Sequence, residues 1–161
     1  SKEGLDHGTK TLINSIDINR DARTLIDMGC GYGPIGISLA KRYPELGVYM
    51  VDVNERAVDL ARKNASLNSV NNVDIRHGYL FEKFEEKADI IVSNPPIRAG
   101  KQTVFRLYEQ AKEHLNEHGF LYVVIQKKQG APSSLEKLKS LFSHVEIIAR
   151  DRGYWVILSQ K

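Results

Sequence analysis

Short apolar stretches alternate with amphipathic stretches along this 161-residue chain, and this alternation restricts the fold more than any other feature. The apolar stretches have the length of buried strands, and the others repeat apolar residues at helical spacing. Strands that alternate with helices form right-handed crossovers, which produce a parallel sheet covered by helices. The predicted strands are 24–28, 48–53, 73–76, 88–93 and 120–125, and the predicted helices are 34–42, 55–67, 102–117 and 134–142. Asn54 and Ser133 are predicted to cap the second and fourth of these helices, and Gly119 is predicted to end the third.

The end of the chain carries a different signal. The Asp151-Arg152-Gly153 turn separates two apolar segments, 145–149 and 154–158, which predicts a β-hairpin. One strand of that hairpin is expected to join the sheet in antiparallel orientation. The predicted fold class is therefore α/β, a Rossmann-like doubly wound sheet that is mostly parallel and has a C-terminal antiparallel hairpin.

Composition excludes several classes of protein. No apolar run approaches the roughly 20 residues that span a bilayer, so no membrane partner is expected. The single cysteine, Cys30, cannot form an internal disulfide, which fits a reducing cytoplasm. The five histidines lack the spacing of metal ligands, so no metal is expected. A formal charge of +3 permits a nucleic-acid partner without requiring one.

A glycine-rich loop joins the first predicted strand to the first predicted helix. Gly31, Gly33 and Gly36 form a GxGxxG pattern, which is a weak signal alone, but glycines allow close approach of a ligand to the backbone. Asp27 precedes the loop, where it can reach a ligand's ammonium group or the loop backbone. Asp52 ends the second predicted strand, where a carboxylate can bind both hydroxyls of a ribose.

Two other interpretations of this loop stay open, a glycine-rich turn without a ligand and a dinucleotide site. The position of Asp27 disfavours the dinucleotide, because a carboxylate there would face a pyrophosphate. Cys30 lies inside the loop, and we interpret it as a small residue that fills space rather than as a nucleophile.

The segment Asn94-Pro95-Pro96 follows the fourth predicted strand. Each proline fixes its own φ and restricts the preceding residue. The pair can therefore aim the Asn94 side-chain oxygen and the Pro95 carbonyl at one point, an arrangement that suits an exocyclic amino group. The alternative is a rigid turn between a strand and a helix.

Three segments, 5–9, 27–36 and 94–101, resemble the class I methyltransferases of the "small domain" family. This family includes the ribosomal RNA small subunit methyltransferase C and large subunit methyltransferase G branches, which modify guanine N2. The resemblance covers nearly the whole chain, and residues 97–101 are more specific to the guanine branch and its short Gram-positive and archaeal relatives. It implies a class I methyltransferase sheet and S-adenosyl-L-methionine as cofactor.

The resemblance also assigns roles to individual residues. The catalytic tetrad corresponds to Asn94, Pro95, Pro96 and Ile97, where Ile97 replaces the usual aromatic residue. Tyr79 stands about where the family often has an acid near the adenine amine. The predicted cofactor-binding residues are Asp27, Gly29, Cys30, Gly31, Gly33, Asp52, Val53, Tyr79 and Asn94.

We expect one methyltransferase domain over residues 1–161, with a further N-terminal segment in relatives. The expected partner is ribosomal RNA or a ribosomal subunit in the cytoplasm, and the predicted phosphate contacts are Arg98, Lys101, Lys127 and Lys128. Several alternatives stay open: methylation of protein glutamine, DNA adenine or a small molecule, a nicotinamide-dependent oxidoreductase, and a binding module without catalysis.

Overall fold

A computed structural model describes residues 7–161, which form a seven-stranded sheet with helices on both faces. The helices are α1 His7–Ser15, α2 Pro34–Arg42, α3 Glu55–Leu67, α4 Lys101–His114 and α5 Ala131–Leu141. The strands are β1 Thr24–Met28, β2 Gly47–Asp52, β3 Val73–His77, β4 Ala88–Ser93, β5 Leu115–Gln126, β6 His144–Asp151 and β7 Tyr154–Gln160. Two short 3-10 turns span Ile97–Ala99 and Lys127–Gln129.

The strand order is β3-β2-β1-β4-β5-β7-β6. Strands β1 to β5 pair in parallel, whereas β7 is antiparallel to both β5 and β6. This confirms the predicted doubly wound sheet with a C-terminal antiparallel hairpin. The chain reverses its winding between β1 and β4, and open α/β sheets bind ligands beyond the strand ends at such a point.

Alternation along the strands divides the core into two layers. Leu25 of β1 belongs to the layer that includes Leu39 of α2, and Ile26 belongs to the layer that includes Leu107 of α4. All of these side chains are fully buried. The two layers pack against opposite faces of the sheet and thereby fix the positions of the carboxyl ends of its strands. No helix within residues 7–161 combines the length and apolar character that crossing a bilayer requires.

The predicted boundary between α4 and β5 is wrong. The helix ends at His114 instead of continuing to residue 117, and Gly119 lies within β5 rather than at a helix end. Ala88 pairs with Leu115 while Ile90 pairs with Phe120, so the residues between them form a bulge. A Cβ at Gly119 would lie 2.9 Å from the Asp89 carbonyl oxygen, which explains the glycine by close approach to β4.

Two helix starts also differ from the sequence prediction. Helix α5 begins at Ala131 behind Gly130, and Ser133 donates a hydrogen bond to the Gly130 carbonyl instead of capping the helix. Helix α1 was not predicted, and Leu5 and Asp6 of the first family motif lie outside the described residues. The predicted cap at Asn54 is confirmed, because its side chain accepts from the amides of Arg56 and Ala57.

Candidate active site

The glycine loop is tied to the end of β2 by its own backbone. The amides of Gly29 and Cys30 both donate to the Val51 carbonyl at 2.9 Å, and the Gly31 amide donates to Asp52 Oδ2 at 2.8 Å. Gly33 has a φ of 100° and a Cβ there would lie 2.6 Å from Ile37 Cδ1. The φ of 100° favours glycine at this position, and a Cβ there would also force the Ile37 side chain to shift.

Asp27 lies beneath this loop and not on its open side. Its side chain is fully buried, and Oδ2 accepts a hydrogen bond from the Gly36 amide at 3.0 Å. Oδ1 has no partner among the described residues. Burial raises the pKa of Asp27 to about 7, and the nearby Asp52 charge adds to the rise, while the Gly36 hydrogen bond opposes it. Asp27 therefore reaches the loop backbone, one of the two roles that its position predicted.

Asp52 presents a half-buried carboxylate at the end of β2. Oδ2 accepts from Gly31 in the loop and Oδ1 accepts from the Asn54 amide at 2.8 Å. These two backbone bonds fix the orientation of the carboxylate, and each oxygen keeps a further lone pair for a ligand. The acid is thus held ready to accept hydrogen bonds from a vicinal diol.

The Asn94-Pro95-Pro96 segment forms a tight turn beyond β4. Pro96 has φ −77° and ψ 78°, and the Ile97 amide donates to the Pro95 carbonyl at 2.9 Å, which makes an inverse γ-turn. The Asn94 side chain has no hydrogen-bond partner among residues 7–161, so its amide is free to bind a ligand. The Pro95 carbonyl retains one lone pair beside its turn hydrogen bond.

Ser93 supports this turn, and sequence reasoning did not single it out. Its Oγ is fully buried and donates to the Met28 carbonyl at 2.8 Å, which joins the end of β4 to the end of β1. The only signal in the sequence is a hydroxyl residue that ends an apolar strand directly before Asn-Pro-Pro. Ser93 fixes the distance between the two strand ends from which the glycine loop and the Asn94 turn begin.

A cleft of about 240 Å³ lies between these strand ends. Among the predicted cofactor and catalytic residues, those on its wall are Gly29, Asp52, Val53, Tyr79, Asn94 and Pro96. The others do not line it: Asp27, Cys30, Gly31, Gly33, Pro95 and Ile97. Sequence reasoning missed the contribution of α4, whose Thr103 and Leu107 face the cleft one helical turn apart.

Tyr79 follows β3 and is held at two places. Its amide donates to Glu82 Oε1 at 2.9 Å, and its hydroxyl accepts from Arg106 of α4 at 3.3 Å. The ring lines the cleft and is 39% exposed. It therefore offers a flat apolar wall to the cleft, and its predicted role as a cofactor residue stays a prediction.

Cys30 is buried in the loop, as expected for a residue that fills space. Burial raises the pKa of its thiol, and the negative charges of Asp27 and Asp52 raise it further. A protonated thiol is a poor nucleophile. No group of three or more His, Cys, Asp or Glu side chains within residues 7–161 is arranged to hold a metal ion.

Four exposed cations surround the same edge of the sheet. Arg98 and Lys101 follow the Asn94 turn, and Lys127 and Lys128 form the 3-10 turn after β5. None of the four forms an ion pair with another described residue. The Lys127 amide donates to the Gly153 carbonyl at 2.7 Å, so the lysine turn is fixed to the C-terminal hairpin. The four predicted phosphate contacts thus follow the carboxyl ends of the adjacent strands β4 and β5, and their role stays a prediction.

Comparison with known proteins points to one protein family. A family model described as methyltransferase small domain matches residues 1–158. An uncharacterized protein, YbxB, of Bacillus subtilis (strain 168) is 44% identical over 163 residues, which is all of this chain and 81% of YbxB. Ribosomal RNA small subunit methyltransferase C of Haemophilus influenzae (strain PittEE) is 35% identical over 150 residues. That match covers 91% of this chain and 44% of the relative, so the chain spans less than half of the methyltransferase C sequence.

A solved structure has the same fold. The T. thermophilus 16S rRNA N2 G1207 methyltransferase (RsmC), in complex with AdoMet and guanosine, superposes with a TM-score of 0.87 at 21% identity. The superposition covers 100% of this chain and 44% of that one. At this level of identity the likeness concerns the arrangement of strands and helices.

Proposed function

This chain belongs to the methyltransferase small domain family, and for this S-adenosylmethionine-dependent methyltransferase we propose that the substrate is the N2 amine of a guanine in ribosomal RNA. The observation that carries the proposal is the Asn94 turn. It places a free side-chain amide on the wall of the cleft, beside four exposed cations without ion pairs among the described residues.

The residues of the cleft fit the cofactor. S-Adenosylmethionine carries positive charge at its sulfonium and ammonium groups, and the buried Asp27 Oδ1 beneath the loop lacks a partner. A positive ligand would stabilise the ionised form of that carboxyl. The Asp52 carboxylate suits the ribose, and Val53, Tyr79 and Leu80 offer apolar walls for an adenine. A pyrophosphate would instead bring negative charge close to two carboxylates, which disfavours a dinucleotide.

The chemistry divides between cofactor and protein. The bound cofactor supplies an electrophilic methyl group. Asn94 and the Pro95 carbonyl accept hydrogen bonds from the two N2 protons, which draws electron density onto nitrogen and turns its lone pair toward the cleft. With the cofactor bound, methyl transfer would form a nitrogen–carbon bond at N2 while the sulfur–carbon bond breaks, and one N2 proton would pass to water. Because the two acceptors belong to a rigid turn, positioning supplies most of the rate enhancement.

Two further facts support RNA as the substrate. Ribosomal RNA small subunit methyltransferase C is among the named relatives, and the RsmC structure contains guanosine. The cations Arg98, Lys101, Lys127 and Lys128 suit the phosphates that flank a flipped or single-stranded base. A glutamine side chain in a protein would not require them.

Nucleoside analysis tests the proposal directly. The protein, labelled S-adenosylmethionine and ribosomal subunits or rRNA from a deletion strain are incubated together, and the RNA is digested to nucleosides for mass spectrometry. We expect label in N2-methylguanosine. Label only in adenosine, or only in the protein fraction, would assign the enzyme to another branch of the family.

A further inference from the structure

A second pocket of about 140 Å³ lies on the other side of the catalytic turn. It shares no lining residue with the cofactor cleft. The 3-10 turn after Pro96 separates the two, because Ala99 lines the cleft whereas Ile97 and Lys101 line the pocket. The pocket therefore opens directly beside the place where Asn94 would hold the target amine.

The lining of this pocket suits a flat, uncharged ring system. Its floor is apolar and includes the buried Val104 and Ile125 and the half-exposed ring of Phe105. The buried hydroxyl of Ser134 is already paired with Tyr108 at 2.8 Å, so it presents no unsatisfied polar group. The exposed Gln129 at the rim has no hydrogen-bond partner among the described residues, and its amide can both donate and accept.

The charge around the pocket favours a ligand attached to phosphates. No aspartate or glutamate lines it. Lys101 lies at its mouth with Nζ 5.4 Å from the centroid of the Phe105 ring, and Lys127 and Lys128 directly precede Gln129. Unstacked bases of single-stranded RNA bind to aromatic side chains in such positively charged surroundings.

We propose that this pocket binds the unpaired base of a nucleotide next to the target guanosine. This inference rests on the proposed function, because it requires an RNA substrate whose target amine lies at Asn94. The neighbouring base packs against Phe105, its edge binds Gln129, and Lys101 contacts the phosphate between the two nucleotides. The pocket would then select the sequence or the unpaired state of the bases around the target.

Two substitutions separate this role from catalysis. Ser133→Phe places a ring at the half-exposed rim of the pocket, and Phe105→Leu keeps an apolar side chain but removes the stacking surface. Neither residue lines the cofactor cleft. Ser140→Phe, at an exposed position on the same helix α5, is the matched control for the added ring.

The experiment uses a short unmethylated RNA that contains the target guanosine, together with versions in which one neighbouring nucleotide is abasic. For the parent protein we expect an abasic residue at one of the two neighbouring positions to lower kcat/KM about tenfold, as expected for the loss of one stacked base. Ser133→Phe should have a kcat/KM about tenfold below that of the parent with the intact RNA. Replacing the neighbouring nucleotide by an abasic one should lower the kcat/KM of this variant by less than about twofold more. Phe105→Leu should likewise lower kcat/KM with the intact RNA, whereas Ser140→Phe should match the parent. Cofactor affinity should be unchanged in all three variants.

The outcomes are distinguishable. If the parent methylates RNA and is indifferent to abasic residues at both neighbouring positions, the pocket does not bind a neighbouring base, although the proposed function stands. The same conclusion follows if Ser133→Phe methylates the intact RNA as well as the parent does. If the parent binds S-adenosylmethionine and methylates no RNA, the proposed function is wrong, and the inference about the pocket is wrong with it.

Discussion

Asp27 holds a carboxyl group where solvent does not reach it and where one oxygen lacks a partner among the described residues. Burial raises its pKa to about 7. The folded chain therefore binds this proton more tightly than the unfolded chain does, so the carboxyl lowers stability as the pH rises from about 4 to about 7. A residue that lowers stability at neutral pH fits a functional role, and the role proposed for Asp27 is the attraction of a positive ligand to the loop.

Replacement of Asp27 by Asn should remove this loss. The unfolding free energy of the variant minus that of the parent should therefore rise by about 2 to 3 kcal/mol between about pH 5 and pH 8. Its affinity for S-adenosylmethionine at pH 8 should fall, because the negative charge is absent. Urea denaturation at several pH values and calorimetry measure the two effects. Asp21→Asn at an exposed position is the control, and parallel stability curves for Asp27→Asn and the parent would contradict the perturbed carboxyl.

Asn94 is proposed to orient the target amine without stabilising the fold, because its side chain has no partner among residues 7–161. Asn94→Ala should therefore lower kcat by about 100-fold or more, the usual scale for a lost polar contact to the reacting group. The melting temperature and the cofactor affinity should stay close to those of the parent. Methyl transfer to rRNA, thermal melting and calorimetry test this, with the exposed Asn71→Ala as control. Retained activity would mean that the two-acceptor mechanism is wrong.

The glycine loop shows how one element combines two different requirements for glycine. Gly33 has a φ of 100° and close contact with Ile37, whereas Gly31 has a φ of 57° and no atom within 4 Å of a Cβ placed there. A left-handed φ near 57° is accessible to other residues at modest cost, but a φ near 100° is not. The loop therefore needs glycine at Gly33 for the fold, and at Gly31 it mainly gains an open backbone.

This contrast can be measured. Gly33→Ala should lower the unfolding free energy by about 3 kcal/mol, since backbone strain and overpacking each contribute. Gly31→Ala should cost only about 1 kcal/mol, which makes it the matched control within the same loop. Urea denaturation with a common slope for both variants gives the comparison. Equal losses for the two substitutions would show that the contact with Ile37 relaxes freely.

The boundary of α4 and β5 shows where an element depends on its neighbours. Apolar spacing continues past His114, so the sequence pattern extends the helix to residue 117. Pairing of Leu115 with Ala88 of β4 replaces the last helical turn. His118, with a φ of 69°, adopts the left-handed conformation in the bulge, although Gly119 is the residue whose type suggests it.

At the scale of the whole molecule, the reversal between β1 and β4 gathers the site at one edge of the sheet. Asp52 lies at the carboxyl end of β2, and the glycine loop, the Asn94 turn and the lysine turn each follow the carboxyl end of a strand. Helices α2 and α5 begin at this edge, so Lys41 and Lys139 in their last turns lie toward the opposite edge. The chain therefore carries both a cationic surface beside the cleft and exposed lysines remote from it.

Joint replacement of Lys127 and Lys128 by Ala should raise the KM for rRNA with little change in kcat. It should also lower the magnitude of the slope of log binding constant against log salt concentration by about 1.5. The variant makes two fewer phosphate contacts and therefore releases fewer counterions on binding. Binding and methylation assays over a salt series give both values. The double replacement of Lys41 and Lys139 by Ala is the matched control. An unchanged KM and slope for the first pair would favour a substrate without phosphates.

The sequence alone determines the features that arise from neighbouring residues. The spacing of apolar residues and the positions of glycine and proline predict most strands and the order of the loops, and residue type predicts the Asn54 cap. These features depend on hydrogen bonds and steric limits that act within a few residues. The motifs at residues 27–36 and 94–97 likewise identify the family, since each is a continuous segment. Helix α1 lacks such local signals, and it forms by packing against β5, β6 and β7.

Only the tertiary structure decides which residues line the same cleft or pocket. It brings Thr103 and Leu107 to the cleft, joins Ser93 to Met28, and leaves Asp27 Oδ1 buried without a partner among the described residues. It also creates the second pocket from two 3-10 turns, two helices and β5, whose contributing residues come from separate parts of the chain. Each of these features depends on contacts between distant segments, and local residue preferences contain no information about such contacts until the sheet has brought the segments together.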